Sequence, residues 1–418
     1  MSSSPITDYS LIRERLSPDQ VRVFDRILNQ IGGSSSDPVR LFVSGTAGTG
    51  KSFLITALID AVGAKNVFVC APTGVAAKQV KGKTIHALFN LPVAKNGEQD
   101  DGRLFTAPAV GDNLKLVIVD EISMCSAEMF DRVESAMRAF RPNCGVFGGF
   151  SLVLFGDLLQ IPPVNARWIF ECKWGGVVLL ILIFPLNVGV FSAQWWPCFE
   201  YEELEVNHRQ HTDMEFAEML QRWRLGRVSG GDMDFLQSRQ VSGTPSYAAV
   251  AEQYCQNGRG NSMILVQYNK TADELNSRCG LMNGDTVLVQ KVHTDQDQNV
   301  ERLTVTPVDT AEVVTIYRRQ PQESGRQQQQ QQKPYLPVLP AYAVTYHKAQ
   351  GQTLDTVFLE LPRSMDASLF FTGASRVRSR DDLYVTRLPA GFSIKINGAA
   401  VGEYNRLRAT IQLPPIDD

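Results

Sequence analysis

The run Gly45-Thr46-Ala47-Gly48-Thr49-Gly50-Lys51-Ser52 follows the apolar stretch Leu41-Phe42-Val43 and opens a segment of helical character. A glycine-rich loop between a strand and a helix constrains the fold more than any other part of the chain. Glycines let backbone N–H groups close around phosphate oxygens, and the helix N-terminus adds positive potential. A lysine in the place of Lys51 reaches the terminal phosphates, and the Ser52 hydroxyl is placed to bind Mg²⁺. The alternative is an ordinary glycine-rich turn; the strand before it and the helix after it favour phosphate binding.

The rest of the chain repeats that strand–helix rhythm. Ser17-Pro18-Asp19-Gln20 supplies an N-cap, a proline at the first helical position and a capping-box glutamine, and Val21, Phe24, Ile27, Leu28 and Ile31 recur at helical spacing. Strands are expected at Val67 to Cys70, Leu116 to Val119 and Leu152 to Phe155, with helices at Val75 to Val80 and Ala127 to Phe140. A second alternating block has strands at Ile264 to Val266, Ala341 to Thr345, Thr356 to Leu359 and Leu383 to Val385, and a helix at Ala272 to Arg278. Such alternation predicts an α/β fold with parallel sheets and helices on their faces. We expect two lobes, residues 1–200 and 201–418, with a small β insertion at about 281–336 in the second. Gln327 to Gln332 reads as a low-complexity surface loop.

Composition narrows the function. Across 418 residues, 41 Lys and Arg oppose 44 Asp and Glu for a net charge of −3, so any nucleic-acid site must be a local channel. Seven cysteines without a Cys-x-x-Cys pair argue for reduced thiols inside a cell. No signal peptide is apparent at Met1 to Ser10. The apolar stretch Gly175 to Phe191 is broken by Pro185 and Asn187 and is shorter than the roughly 20 residues of a membrane span, so no membrane partner is expected.

Two further strand ends carry polar residues. Leu116-Val117-Ile118-Val119 ends in Asp120-Glu121, and carboxylates at the carboxyl end of a parallel strand face the ligand crevice. Asp120 suits holding Mg²⁺, and Glu121 suits orienting or deprotonating an attacking water. Leu152-Val153-Leu154-Phe155 ends in Gly156-Asp157, with Gln160 three residues on, where an amide can touch a γ-phosphate.

In order along the chain come the glycine-rich loop, Ala71-Pro72-Thr73-Gly74-Val75-Ala76-Ala77, Thr84-Ile85-His86, Asp120-Glu121-Ile122-Ser123-Met124 and Gly156-Asp157-Leu158-Leu159-Gln160. Asn207-His208-Arg209-Gln210, Tyr346-His347-Lys348-Ala349-Gln350-Gly351-Gln352-Thr353 and Ala374-Ser375-Arg376-Val377-Arg378-Ser379 follow. This series resembles the motifs of superfamily 1 DNA helicases, and Met129 to Gly149 resembles the signature of the petite-integration-frequency (PIF) group within superfamily 1B. The resemblance spans roughly residues 15 to 387.

The resemblance implies two RecA-like P-loop NTPase lobes with ATP and Mg²⁺ in the cleft, and a monomeric motor moving 5′→3′ on single-stranded DNA and unwinding tailed duplexes. It implies an intracellular setting, nucleus first and mitochondrion second, in DNA repair, recombination or telomere maintenance. By position, Lys51, Glu121 and Gln160 are catalytic, and Arg209 and Arg376 are arginine fingers from the opposing lobe. Gln20 reads adenine, though its capping-box place explains it equally, and Gly351 belongs to the nucleotide site together with Gly45 to Ser52. Candidate DNA contacts are Pro72, Thr73, His86 and Phe89 in the first lobe and His347, Lys348 and Thr353 in the second, where charge and stacking would hold a strand.

Between Pro163 and Arg209 the chain departs from that group, which has a short polar linker there. We read residues about 172 to 191 as intron sequence retained in a gene model. The insertion before Ala341 is also short. Two other readings stand beside a helicase: a catalytically impaired nucleic-acid-binding remnant of a mobile element, and a P-loop ATPase acting on protein partners.

Overall fold

In the computed structural model, which describes residues 9–33, 37–91, 113–171, 195–241, 250, 256, 261–271, 287–294, 300–307, 313–317 and 343–416, the chain first builds a parallel sheet. Its strands are β1 (Arg40–Gly45), β2 (Val67–Ala71), β3 (Lys83–Thr84), β4 (Leu116–Val119), β5 (Ser151–Gly156) and β6 (Glu200–Leu204), in the order β3-β2-β4-β5-β1-β6. Every pairing is parallel. The glycine-rich loop therefore leaves the carboxyl end of an inner strand.

The apolar strands are buried on both faces, and the side-chain period of two divides them between two cores. Leu41 and Val43 of β1, Leu116 and Ile118 of β4, and Val153 and Phe155 of β5 pack on helices Pro18–Gly32 and Lys51–Val62 through Phe24, Ile27, Leu54 and Leu58. Phe42, Val117, Val119, Leu152 and Leu154 face the other way, onto Phe130, Val133 and Met137 of helix Ala127–Phe140. Helix Pro18–Gly32 starts with the capping box that its sequence predicts, the Ser17 N–H donating to Gln20 Oε1 at 3.1 Å.

Strand β7 (Ser262–Val266) opens a second sheet. Next, β8 (Val287–Thr294), β9 (Val300–Pro307) and β10 (Val314–Tyr317) form a separate antiparallel sheet inside the stretch read as a β insertion. The second sheet resumes with β11 (Ala343–Thr345), β12 (Thr356–Glu360) and, after the short β13 (Ser364–Asp366), β14 (Leu383–Arg387). Its order is β11-β7-β12-β14, all parallel, while β15 (Ser393–Lys395) pairs with β13. Met263, Leu265, Val357, Leu359 and Val385 pack on Phe216, Leu220 and Trp223 of helix Met214–Arg224 and on Phe370 of helix Ala367–Ala374. Ile264, Val266 and Phe358 fill a smaller core on the opposite face.

Packing departs from a division of the chain at residue 200. Strand β6, beyond that point, is the edge strand of the first sheet beside β1. Helix Gly398–Thr410 also returns to the first lobe, placing Ala400, Val401, Tyr404 and Leu407 in the core shared with helix Ala127–Phe140. Glu403 accepts from the Trp196 indole N–H at 2.6 Å, and Arg408 pairs with Glu203 at 2.8 Å. An amphipathic helix reveals that it buries one face but not which sheet receives it, which is why the sequence did not place this one. The expectations for residues 172–191, Ala272 to Arg278 and Gln327 to Gln332 lie outside the described residues. Among the described residues, no helix is long and apolar enough to cross a membrane.

If the last helix completes the first core, Leu407→Ala should destabilise the chain by about 2–4 kcal/mol. Thermal unfolding would register this as a lowered Tm, and an unchanged Tm would contradict the packing.

Candidate functional site

The loop after β1 is built from backbone that only glycine adopts easily. Gly48 has φ +95°, and a side chain there would meet Asn207 Oδ1 at 2.6 Å and Arg209 Cβ at 2.7 Å. Gly50, at φ +77°, caps helix Lys51–Val62 and lies against the Gln20 amide. Thr49 Oγ1 donates to Thr46 O at 3.0 Å. Two neighbours brace the loop from outside: Gln20 Nε2 donates to Thr49 O at 3.1 Å, and the His208 N–H donates to Gly48 O at 2.8 Å. Gln20 is thus engaged on both sides, by the helix cap and by the loop. It does not line the cleft beside the loop, which leaves the reading of adenine without support from its position.

That cleft has a volume of about 470 Å³. Ala47, Gly48, Gly50, Lys51, Ser52, Asp120, Glu121, Gln160, Arg209, Gly351 and Arg376, all singled out in the sequence, line it together, whereas Gly45, Thr46 and Thr49 support the loop from behind. Lys51 Nζ donates to Gly45 O at 2.6 Å and to Thr46 O at 3.2 Å. Burial draws its pKa below the usual lysine value, partly offset by Glu121, Asp157 and Asp120. Ser52 is exposed into the cleft, as its proposed metal role requires.

Strand β4 delivers the two acids. Asp120 is buried and its Oδ1 accepts from the Glu121 N–H at 2.9 Å. Burial and the neighbouring Glu121 push Asp120 up to about 7, against the pull of Lys51. Glu121 sits at φ +52°, a left-handed conformation uncommon for a residue with a side chain, and its Oε2 accepts from Gln350 Nε2 at 2.9 Å. At the end of β5, Gln160 Nε2 donates to Asp157 Oδ2 at 3.4 Å, while the buried Gln160 Oε1 has no partner.

The arginines approach differently from expectation. Arg376 comes from the second lobe and is 1% exposed, with Nε on Thr372 O at 2.6 Å, one terminal nitrogen on Gln352 O at 3.2 Å and the other on Ser375 Oγ at 2.8 Å. Burial, reinforced by Arg209, lowers its pKa to about 9. Arg209 does not reach across from the far lobe. It lies on the segment leaving β6, its N–H held by Asn207 Oδ1 at 2.9 Å, and packs directly on Gly48. Its guanidinium then extends to Ser375 O, at 2.9 Å, and burial lowers its pKa to about 10. Among the described residues, neither arginine has a carboxylate within ion-pair distance.

The donor set fits a polyphosphate and a hard cation. Glycine N–H groups, an ammonium, two unneutralised guanidiniums and an unpartnered glutamine oxygen border one space. The Ser52 hydroxyl and Asp120 carboxylate are oxygen ligands of the type Mg²⁺ prefers, with phosphate oxygens and water able to complete its shell. Among the described residues, no group of three His, Cys, Asp or Glu side chains is arranged to hold a metal by itself.

The expected DNA contacts divide. Pro72 and Thr73 follow β2 half-buried, and Thr73 caps helix Gly74–Gln79 by accepting from the Ala76 N–H at 3.2 Å. His86 is half-buried, its pKa lowered by burial and by Arg132, and His347 is likewise lowered by burial beside the exposed Lys348. Phe89 is fully buried and packs against Phe140, so its ring offers no face to a base. Its place directly after the short helix Ile85–Leu88, in the core beside Leu88, explains the difference. Thr353 lines the cleft of Lys51 instead of a separate strand-binding surface.

Phe53, Gln79, His208 and Arg378 also line the cleft and were not singled out as site residues. For Phe53, an aromatic directly after Ser52 and 39% exposed, adjacency was a usable signal. Gln79 carries none, because its role comes from packing on Gly351, where a Cβ would meet its Oε1 at 2.7 Å.

The PIF1-like helicase family model matches residues 15–174. The chain is 26% identical to the ATP-dependent DNA helicase PIF1 of Danio rerio, the match covering 90% of this chain and 61% of that protein. The Homo sapiens counterpart is 27% identical over 89% of this chain and 61% of its own length. The chain therefore spans about three fifths of the length of these relatives. Among solved structures it is similar to the Pif1 helicase from Bacteroides in complex with ADP-AlF3 and ssDNA, with TM-score 0.68 and 19% identity over 95% of this chain and 98% of that one. The Pif1 helicase from Candida albicans gives TM-score 0.68 and 20% identity over 94% and 99%. At such identity the likeness is one of fold, two RecA-like lobes with parallel sheets.

The raised Asp120 pKa has a measurable consequence. An unfolded aspartate releases its proton near pH 4 (about 3.9), whereas folded Asp120 keeps its own to about 7. The folded chain binds more protons across that window, so this group's contribution to stability falls as pH rises through it. In chelator-containing buffer without nucleotide, Asp120→Asn should raise the Tm at pH 8 and leave it near the parent value at pH 4.

Proposed function

We propose that the chain is an ATP-dependent DNA helicase, a reading supported by the match of residues 15–174 to the PIF1-like helicase family model and by the likeness to PIF1 helicases over most of the chain. In this reading ATP turnover drives 5′→3′ movement along single-stranded DNA and opens tailed duplexes. The observation that carries the reading is the meeting of Lys51 from the first lobe and Arg376 from the second at one cleft. Arg376 bonds backbone carbonyls and a serine hydroxyl, so its charge remains available to a polyanion.

Each residue has a task on this reading. The loop amides and Lys51 grip the β- and γ-phosphates. Ser52 and, indirectly, Asp120 would hold Mg²⁺, which would supply charge neutralisation for the phosphates. Glu121 orients the attacking water, and Gln160 offers its free oxygen to a proton of that water. Arg209 and Arg376 offset charge that develops on the transferred group. Arg376 comes to the cleft from the second lobe, so its contribution depends on how the lobes sit and ties turnover to lobe movement. Arg209 stays with the loop and contributes from the same side as Lys51.

Pro72, Thr73, His86, His347 and Lys348 remain the proposed strand contacts. Gly351 packs against Gln79. The turn carrying His347 and Lys348 is thereby joined to the helix that Thr73 begins, which supports a strand path along this seam. Near-neutral total charge makes binding depend on a few contacts and therefore on salt. The free thiols of Cys70, Cys125, Cys144 and Cys198 support an intracellular setting, nuclear or mitochondrial.

ATP turnover with and without single-stranded DNA, then strand displacement on 5′- and 3′-tailed duplexes, tests the proposal. Lys51→Ala should abolish turnover. Arg376→Ala should lower kcat by about a thousandfold or more while nucleotide still binds. Full turnover in either variant, or no response to single-stranded DNA, would refute the assignment; displacement from 3′ tails alone would refute the direction.

A further inference from the structure

Asp157 is fully buried at the end of β5 and is held from several elements at once. Arg224, the last residue of helix Met214–Arg224, donates Nε to Oδ2 at 3.2 Å and a terminal nitrogen to Oδ1 at 2.7 Å. Tyr404, on the C-terminal helix, donates its hydroxyl to Oδ1 at 2.8 Å and accepts from the Leu158 N–H at 3.0 Å. The Arg224 guanidinium also lies over the Tyr404 ring, 5.2 Å from its centroid. Burial pushes the Asp157 carboxyl up, but Arg224, Lys51 and Tyr404 outweigh it and keep the group ionised below the usual range.

The backbone of Asp157 to Gln160 hangs from this cluster. The Leu159 N–H donates to Asp157 Oδ1 at 3.1 Å, the Gln160 N–H to Asp157 O at 2.9 Å, and the Gln160 side chain to Oδ2 at 3.4 Å. Gln160 forms a wall between two spaces. One is the cleft of Lys51; the other is a cavity of about 120 Å³ lined by Trp168, Arg224, Lys395 and Asn397 among others. The amide therefore has room on both sides, and among the described residues its side chain bonds Asp157 alone.

We propose that Tyr404 and Arg224 are positioning residues for Gln160, fixing the Asp157-to-Gln160 turn so that the glutamine oxygen faces the nucleotide cleft. The C-terminal helix then belongs to the hydrolytic apparatus although it lines no part of that cleft. This inference rests on the ATPase reading of the site. Tyr404→Phe removes one hydroxyl, keeps the ring in the core and leaves Arg224 as the cation that hydrogen-bonds Asp157.

The test is a double-mutant cycle in ATP turnover at saturating single-stranded DNA, using the parent chain, Tyr404→Phe, Gln160→Ala and the double variant. Tyr404→Phe should lower kcat about tenfold with the KM for ATP held within about twofold, because a displaced group costs rate more than binding. In the Gln160→Ala background the same change should cost less than about twofold, since the residue it positions is already gone. Equal losses in both backgrounds, or a parental kcat in Tyr404→Phe, would overturn the inference. Should Tyr404→Phe fail to fold, Arg224→Lys, which keeps the charge but loses the two-pronged fork, takes its place in the cycle with the same expectation. A parent chain without ATP turnover overturns the ATPase reading and this inference with it; additive losses in an active parent overturn this inference alone.

Discussion

Lys51, Arg209 and Arg376 bring three positive charges to one cleft at the seam of two lobes, and a charge withdrawn from water is costly unless something replaces its hydration. Here the replacement is mostly backbone oxygen. Lys51 takes two carbonyls of the glycine-rich loop, Arg209 takes Ser375 O, and Arg376 takes Thr372 O and Gln352 O. Carbonyls hold the side chains in fixed directions without cancelling their charge. Carboxylates would hold them more firmly and leave little for an arriving anion. The lowered pKa values of all three groups are the mark of that compromise, and a polyphosphate relieves it.

Such a site demands a rigid floor, and the first sheet supplies one by burying both its faces. Asp120, Glu121, Asp157 and the loop all leave the carboxyl ends of neighbouring inner strands β4, β5 and β1, so their spacing is set by the sheet. The helix N-terminal to the loop adds a second restraint. Asp19 Oδ2 accepts from the Glu205 and Val206 N–H groups at 2.9 and 3.2 Å, next to Gln20 on Thr49. One turn of helix thereby fastens both the loop and the segment that carries Arg209.

Local signals made much of this legible. Leu116 to Val119 and Ala127 to Phe140 begin and end where their apolar run and helical spacing stop, and Ser17 to Gln20 forms the cap written into it. What escaped the sequence depends on contacts between distant segments. A strand at Glu200–Leu204 alternates too weakly to be assigned to a sheet, yet its pairing with β1 carries Asn207 to Gln210 onto the loop and turns Arg209 into a neighbour of Gly48. Phe89 illustrates the converse error. Aromatic character suited it to stacking on a base, but at the end of a four-residue helix the same side chain serves as a core anchor. Gln20 shows a third case: the structure contains the capping-box bond that the sequence suggested, together with a bond to the loop that it did not.

The residues between β11 and Thr353 show how a short segment can join two surfaces. Helix Tyr346–Ala349 presents Lys348 to solvent and His347 half-buried, while Tyr346 anchors it in the second core and donates to Glu360 O at 2.9 Å. One residue beyond the helix, Gln350 is buried and bonds Glu121, and Gly351 at φ +82° turns the chain along the cleft toward Thr353. Lys348 and Gln350 therefore lie two residues apart on one short segment anchored at Tyr346. Gln350 Nε2 also donates to Ser123 Oγ at 3.4 Å, so one amide ties this segment to both Glu121 and the turn after it. On the proposed reading, the segment that carries the strand contacts His347 and Lys348 is thus bonded directly to the carboxylate that orients water.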